Sequence, residues 1–544
     1  MPSKRISRRD FLKIAGAATA MGVAHGCAPT PPPAEPTGIP GVTPAATEAP
    51  IATTAPTPTA GPKYGGTLKI ISVQDYPSLD PHKVLAMNDQ NMFDGLFSGL
   101  TQYDQMQQGV PDLANSWDVS DDGTEWTFRL NEGVKFHNGR EMTADDVKFS
   151  FDRIRDPETA CSFGTLIPEM QEVEVVDQYT VKCILSSPVA YFLGFLADWK
   201  IVAQENMGEI SNNAVGTGPF KLKEYILGDR LSMVRFDDYF EEGLPYLDEV
   251  VLYTIMDVTA AYTAFKAGEF DAYWKLQQQT IPEVEGSPDL YPLYASADRY
   301  NCKLINHFDC VTPEGLFANK KARQAISYAL DREIINSTAY FGNGAPALYS
   351  IEMGEDNPFF NAEGLTRYEY DLDKAAQLLE QAGATPGDKW EYNCYAGDPE
   401  GVNMGVILQA SLQEIGYDLD VQQREVGAWA SRFWRVPSPN IISWDGSLPS
   451  PEPSDVFKGF LPGTHPGLWE PSEDVFDLMK RGRASMDEDE RKDIYHQIEM
   501  VLNDEQPNAY PIHYPLPGAA WNHVKDIWQI CGLALKYKRA WLDK

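Results

Sequence analysis

The chain is short of positive charge, of histidine and of cysteine, and each shortage removes a class of function. It carries 45 Lys and Arg against 79 Asp and Glu, a net charge of −34 over 544 residues. Nucleic-acid binding needs clustered cations against phosphate, so so acidic a chain is not a nucleic-acid binder. The same field disfavours anionic ligands unless a local pocket overrides it. Its 7 cysteines include no CxxC pair, which leaves a zinc ribbon or a thioredoxin-like redox motif without support. The 8 histidines form no obvious metal-ligating pair. There is no GxSxG, no HExxH and no GxxxxGK[ST], and abundant carboxylates in so acidic a chain are no argument for a glycosidase. Gly342-Asn343-Gly344-Ala345-Pro346-Ala347 imitates a dinucleotide fingerprint, but Pro346 and its surroundings read as a plain loop. These absences predict a protein that is not an enzyme and needs no cofactor or metal. No apolar run is long enough to span about 30 Å of hydrocarbon, and no internal repeat is visible.

What is present begins at the N-terminus. Ser7-Arg8-Arg9-Asp10-Phe11-Leu12-Lys13 is a twin-arginine export signal, and Ile14 to Ala24 supplies its short apolar stretch. Gly26-Cys27 follows, with the small residue that lipoprotein processing needs before a cysteine; the usual Leu three residues earlier is missing. Residues 28–63 hold 11 Pro and 8 Thr and no aromatic residue. Such a segment cannot bury enough apolar surface to fold, and as polyproline II its reach is roughly 110 Å. The pattern resembles a bacterial lipoprotein: residues 1–27 as signal, Cys27 lipidated and anchored to the membrane, 28–63 as tether, and a soluble body outside the cytoplasmic membrane. Removing the cationic leader leaves the rest at about −38. Cys161, Cys183, Cys302, Cys310, Cys394 and Cys531 remain, an even number in a compartment that permits disulfides, with the pairing open.

The body, Tyr64 to Lys544, is too long for one ordinary core and predicts two or more lobes. Gly65 to Ile71 reads as a strand, and Trp126, Phe128 and Leu130 alternate with polar residues as in a half-buried strand. Thr143-Ala144-Asp145-Asp146 reads as a capped helix start. Helices are predicted over Val258–Lys266, Lys320–Asn336, Asp373–Ala382, Met404–Ile415 and Asp487–Asn503, three of them stopped by Gly268, Gly383 and Gly416. The class is mixed α/β.

Leu79-Asp80-Pro81-His82, Phe93-Asp94-Gly95-Leu96, Pro111-Asp112-Leu113-Ala114-Asn115-Ser116-Trp117, Asp122-Gly123-Thr124, Lys135-Phe136-His137-Asn138-Gly139-Arg140, Gly216-Thr217-Gly218-Pro219-Phe220, Phe265-Lys266-Ala267-Gly268 and Arg323-Gln324-Ala325-Ile326-Ser327-Tyr328-Ala329-Leu330-Asp331-Arg332 follow one another in the chain. Together they resemble the family 5 solute-binding proteins of ABC transporters, the oligopeptide- and dipeptide-binding group, over essentially Tyr64 to Lys544. The resemblance implies a two-lobed periplasmic-binding-protein-like fold (type II, cluster C) with an extra subdomain. It places residues 64–105, 201–302 and 509–544 in lobe I, 106–200 in the subdomain and 303–508 in lobe II. It also implies capture of a peptide between the lobes and delivery to an ABC permease and its ATPase. His137 and His82 are expected as structural turn and loop residues, and Asp331-Arg332 as a helix end with local ion pairs.

In peptide-binding members a Trp followed three residues later by Asp holds the ligand's α-amino group. Here Trp444 matches, but the third position after it is Ser447. A hydroxyl is a poor partner for an ammonium group. Either Asp445 or Glu452 supplies the charge, or the ligand lacks a free amine there; the lost Asp and the tryptophan content favour an oligosaccharide, and an opine or nickel complex is a further alternative, as is a ligand-sensing surface lipoprotein. Trp429, Phe433 and Trp434 fall on one helical face and read as an aromatic wall or as core. Trp274, Trp199, Asn306, Asp75 and Tyr76 complete the candidate ligand contacts.

Overall fold

The computed structural model describes residues 61–83, 89–295, 300–307, 315–396, 398–425, 428–429, 441–447, 450–460, 469–530 and 534–544. Cys27, Cys310, Cys531, Phe433 and Trp434 lie outside them. Among the described residues no helix is long and apolar enough to cross a membrane. Residues 61–544 form one compact unit.

A seven-stranded sheet has Thr67–Ser72 near its centre, flanked in parallel by Glu249–Thr254 and Ala272–Tyr273. Leu68, Ile70 and Ile71 are all buried there, because a central parallel strand is covered on both faces and has no side to give to water. Arg230–Arg235 and Phe220–Ile226 extend one edge, Gly518–Trp521 and Leu290–Leu293 the other. A six-stranded sheet runs in the order Ala345–Pro346, Asn508–Pro515, Tyr300–His307, Ile441–Ser447, Lys389–Tyr395, Asp418–Arg424. A separate four-stranded antiparallel sheet comprises Ala114–Val119, Glu125–Leu130, Thr180–Leu185 and Met170–Asp177. There the burial alternates as the sequence does: Trp126, Phe128 and Leu130 point in, as do Val181, Cys183 and Leu185.

The helix Ala144–Arg155 covers that sheet. Asp146 fixes its first turn, accepting from the Thr143 amide at 3.0 Å and from both terminal nitrogens of Arg140 at 2.7 and 2.9 Å. Val258–Lys266, Leu372–Gln381 and Pro399–Glu414 stop at or just before Gly268, Gly383 and Gly416, each at positive φ. The single helix expected over Lys320–Asn336 is two, Lys320–Ala329 and Arg332–Ala339. The break falls at Leu330, and the Asp331 carboxylate caps the second helix by accepting from the Ile334 amide at 3.1 Å. Arg332 makes no ion pair among the described residues. It is buried and donates to the carbonyls of Ser327, Tyr368 and Tyr510 at 2.8, 2.7 and 3.2 Å, joining the helix to the six-stranded sheet.

The chain passes between the two large sheets twice. It leaves Leu290–Leu293 for Tyr300–His307 and returns from Asn508–Pro515 to Gly518–Trp521. Strand Asn508–Pro515 therefore lies in the second sheet along its whole length, and the return expected at residue 509 falls at about residue 516. Side chains pin the crossing: Gln278 Nε2 donates to the Pro515 carbonyl at 2.7 Å and Gln529 Nε2 to that of Leu516 at 2.7 Å. Two adjacent connections of this kind permit rotation of one lobe on the other with few residues changing conformation. Cys161, Cys183 and Cys394 are buried free thiols.

Candidate functional site

In open α/β sheets ligands bind beyond the carboxyl ends of the parallel strands. In the first sheet those ends are Ser72, Thr254 and Tyr273, which bring together the segments around Asp75, Met256 and Trp274. In the second sheet Ile441–Ser447 runs parallel to Lys389–Tyr395, itself parallel to Asp418–Arg424, so Tyr395, Arg424 and Ser447 share one end. The candidate residues Trp429, Trp444, Asp445, Ser447, Asp75, Tyr76 and Trp274 sit on or just beyond these strands.

Ile441–Ser447 also pairs antiparallel with Tyr300–His307, with Asn306 opposite Ser443, Ile305 opposite Trp444, Leu304 opposite Asp445 and Cys302 opposite Ser447. The strand alternation places Ser443, Asp445 and Ser447 on one face of the sheet and Trp444 on the other. Positions one and three residues after Trp444 thus share a face, about 7 Å apart along the strand.

Trp429 is half-buried and meets Tyr395 edge to face, ring centres 5.3 Å apart. Trp274 is buried in the main core, its amide donating to Ile71 at 3.0 Å. Asp75 accepts from its neighbour Tyr76 at 2.9 Å and from the Gly228 amide at 3.1 Å, tying the loop to the hairpin between Phe220–Ile226 and Arg230–Arg235. Tyr76 is buried, its carbonyl accepting from the Tyr225 hydroxyl, and burial pushes its phenol well above the ordinary range.

Two candidates are corrected. Trp199 is fully buried in the subdomain core, edge-on to Phe151 at 4.9 Å, with Nε1 donating to the Phe163 carbonyl at 3.0 Å, so it packs the subdomain and does not face a ligand. Glu452 is not available to a ligand amine. It is buried, paired with the Arg491 guanidinium, accepts from the Tyr495 hydroxyl at 3.4 Å, and caps the short helix Pro453–Val456 through the Ser454 amide at 3.1 Å.

The histidines are structural. His137 Nε2 lies 3.0 Å from the Gly218 carbonyl and its Nδ1 accepts from the Gly216 amide at 3.3 Å. His82 Nε2 lies 2.8 Å from the Lys200 carbonyl. Burial pulls both pKa values down to about 4. Sequence reasoning missed a buried charge cluster where the subdomain, the first lobe and the C-terminal segment meet. Asp94 sits between Lys200, at 2.7 Å, and Lys536, which together pull its pKa down to about 2 against burial. Asp112 and Asp198 nearby are pushed up to about 6 by burial. No local pattern announces this cluster, whose members come from four separate segments. Among the described residues no group of His, Cys, Asp or Glu is arranged to hold a metal ion.

The model of the bacterial extracellular solute-binding proteins, family 5 middle region, matches residues 108–467. The chain belongs to this family. A twin-arginine translocation signal matches residues 5–25, so this family 5 binding protein is addressed out of the cytoplasm. It is 26% identical over 522 residues to the oligopeptide-binding protein AppA of Bacillus subtilis (strain 168), covering 86% of this chain and 91% of the relative. It is 28% identical over 455 residues to the dipeptide-binding protein of Escherichia coli (strain K12), covering 74% and 81%. The fold superposes on AgaA from A. tumefaciens R10, solved in complex with agropinic acid, with a TM-score of 0.76 at 24% identity, covering 88% of this chain and 99% of that one. The family 5 binding protein therefore has the two-lobed periplasmic-binding-protein fold.

Proposed function

We propose that this protein captures peptides between its two lobes outside the cytoplasmic membrane and delivers them to the permease of an ABC importer. One lobe comprises residues 64–105, 201–295 and 516–544 with the subdomain 106–200 attached; the other comprises residues 300–515. Cys27 carries the lipid that anchors it, and residues 28–63 are the tether. Ligand touching both lobes stabilises the closed form, because it gains contacts there that the open form lacks. The permease and its ATPase do the work of transfer, and this chain performs no chemistry.

The observation that carries the peptide reading is the register of Ile441–Ser447. Position 445 shares a face with position 447, so the acidic residue absent from the third position after Trp444 stands on the same side of the sheet, about 7 Å back along the strand. With Glu452 engaged elsewhere, Asp445 is the partner for the ligand's ammonium group, with Asn306, Ser447 and Asp75 in the same cleft; Trp444 falls on the reverse face of the strand, and Trp274 and Tyr76 are buried behind the cleft wall. The relatives named for oligopeptides and dipeptides support this. A second reading, a flat or sugar-like ligand, rests on Trp429 against Tyr395 at the strand ends. Releasing the ligand that co-purifies with residues 64–544 and weighing it by mass spectrometry separates the two. Peptide masses lost on Asp445→Ala support the first; hexose oligomers retained by Asp445→Ala overturn it.

A further inference from the structure

Among the described residues, Arg483 makes the ionic contact between the subdomain and the second lobe. Arg483, in the last turn of helix Glu473–Ala484, presents its fork to Glu169, just before strand Met170–Asp177. Nε reaches Oε1 at 2.7 Å and Nη2 reaches Oε2 at 2.8 Å, with both side chains less than a fifth exposed. Nη2 also donates to the Leu166 carbonyl at 2.6 Å, and the guanidinium lies over the Phe195 ring at 5.1 Å. The Ala190 amide donates to the Arg483 carbonyl at 2.9 Å. All of these partners belong to the subdomain. On its own side Arg483 Nη1 reaches Ser454 Oγ at 3.4 Å, beside the Glu452–Arg491 pair that anchors the chain leaving the ligand strand. The contact borders a cavity of about 210 Å³ lined by Leu166, Phe195, Phe457, Phe476 and Met479. The join is thus a two-point ionic clasp over an incompletely filled apolar seam, which contributes less packing than a filled core.

We propose that Arg483 and Glu169 form a closure latch, a pair that touches no ligand yet holds the lobes together and sets how much of the ligand-free protein is closed. This rests on the reading that the lobes close on a ligand. Arginine paired bidentately with a carboxylate is strong and directional, so the latch engages only when the two faces align. Affinity then depends on the latch as well as on the cleft, since any bias toward the closed form raises apparent affinity by the same factor.

The test uses residues 28–544 stripped of ligand by unfolding and refolding, and compares wild type with Glu169→Gln, Arg483→Gln and the exchanged pair Glu169→Arg with Arg483→Glu. Small-angle X-ray scattering reports the radius of gyration, and amide exchange reports residues 162–195 and 479–486. Each single substitution is expected to enlarge the particle, to speed exchange at both segments, and to raise the open-to-closed ratio about tenfold, equivalent to about 1.4 kcal/mol. The exchanged pair restores both readouts. Thermal melts identify a single variant that fails to fold, and the other single variant then decides. Singles indistinguishable from wild type, or an exchanged pair that behaves like the singles, overturn the latch. Neither readout needs a ligand, so failure to find bound peptide in wild type would defeat the peptide reading and leave this comparison intact.

Discussion

Glu499 is a carboxyl that the fold keeps protonated, and replacing it by glutamine isolates what that costs. It lies on the buried face of helix Glu488–Glu505 and is almost wholly inaccessible. Oε2 accepts weakly from the Asn361 amide at 3.4 Å, and Oε1 has no hydrogen-bond partner. Burial pushes its pKa up to about 8. In the unfolded chain a glutamic acid ionises near 4.3. Below about pH 4 both states hold the proton and the group contributes nothing to pH dependence. Between about 4.3 and 8 the unfolded chain has lost the proton and the native one has not, so stability falls with rising pH by about 1.4 kcal/mol per unit and then levels. At pH 7 the accumulated cost is on the order of 3 kcal/mol. Glu499→Gln keeps the acceptor for Asn361 at the Oε2 position and puts an uncharged amide nitrogen where the unpartnered Oε1 stood; His496 Nδ1 lies 3.8 Å from Oε2. The substitution is expected to stabilise the protein by roughly 1–3 kcal/mol at pH 7 and by little at pH 4.5. Denaturant unfolding of wild type and variant at half-unit steps from pH 4.5 to 8 measures the difference, with both repeated in a His496→Asn background because His496 is the adjacent titratable group. A difference that stays flat across that range would refute the buried, protonated carboxyl.

The other predictions address the site and its scaffold. Asp445→Ala is expected to weaken peptide binding at least a hundredfold, the loss of a charge-assisted contact to an ammonium group, and adding Ser447→Asp to recover much of it; calorimetric titration with the peptide identified by mass checks both. Gly218→Ala would place a Cβ 2.5 Å from the Gly95 oxygen and the Leu96 carbonyl carbon, both main chain, so it is expected to lower the melting temperature by several degrees or abolish folding. His82 and His137 are held neutral down to about pH 4 while their unfolded counterparts take a proton near 6.5, so stability is lost as pH falls between those values. Glutamine at either position should flatten that acid limb in melts taken from pH 7 to 4.5.

How far the sequence announced this molecule depends on how local each signal was. Helix ends at Gly268, Gly383 and Gly416 were legible because a left-handed residue after a helix is a local requirement. The strand Glu125–Leu130 was legible from alternation alone. The break at Leu330 was not, although Asp331 is a good capping residue, because apolar spacing continues through Ile326, Leu330 and Ile335 and hides it. The sheet to which Asn508–Pro515 belongs had no local mark either; its eight residues are all buried and would suit the centre of either sheet. Trp199 and Glu452 were misread for one reason: residue type nominates a ligand contact, and only the fold reveals that Phe163 and Arg491 already hold them. Glu169 and Arg483 are 314 residues apart, and neither lies in a pattern that points to the other.

The engagement of Glu452 bears on how the altered motif after Trp444 should be understood. Had that carboxylate been free, the serine at position 447 could have been balanced from the loop, and a ligand's amine would sit beyond the strand. Because Arg491, Tyr495 and the Ser454 amide occupy it, removing Glu452 would leave Arg491 buried without its counter-charge and unseat the helix that follows the ligand strand. Its role is to hold the exit of that strand in place, next to the arginine that meets the subdomain. On the proposed peptide reading, that leaves the charge to Asp445 on the strand itself. A pleated strand returns to the same face every second residue, so an Asp displaced by two positions keeps its side of the sheet and gives up only about 7 Å of depth. A displacement by one would have moved it to the other face. On the proposed peptide reading, the step from the third to the first position after Trp444 preserves recognition of an ammonium group while changing where along the cleft the ligand begins.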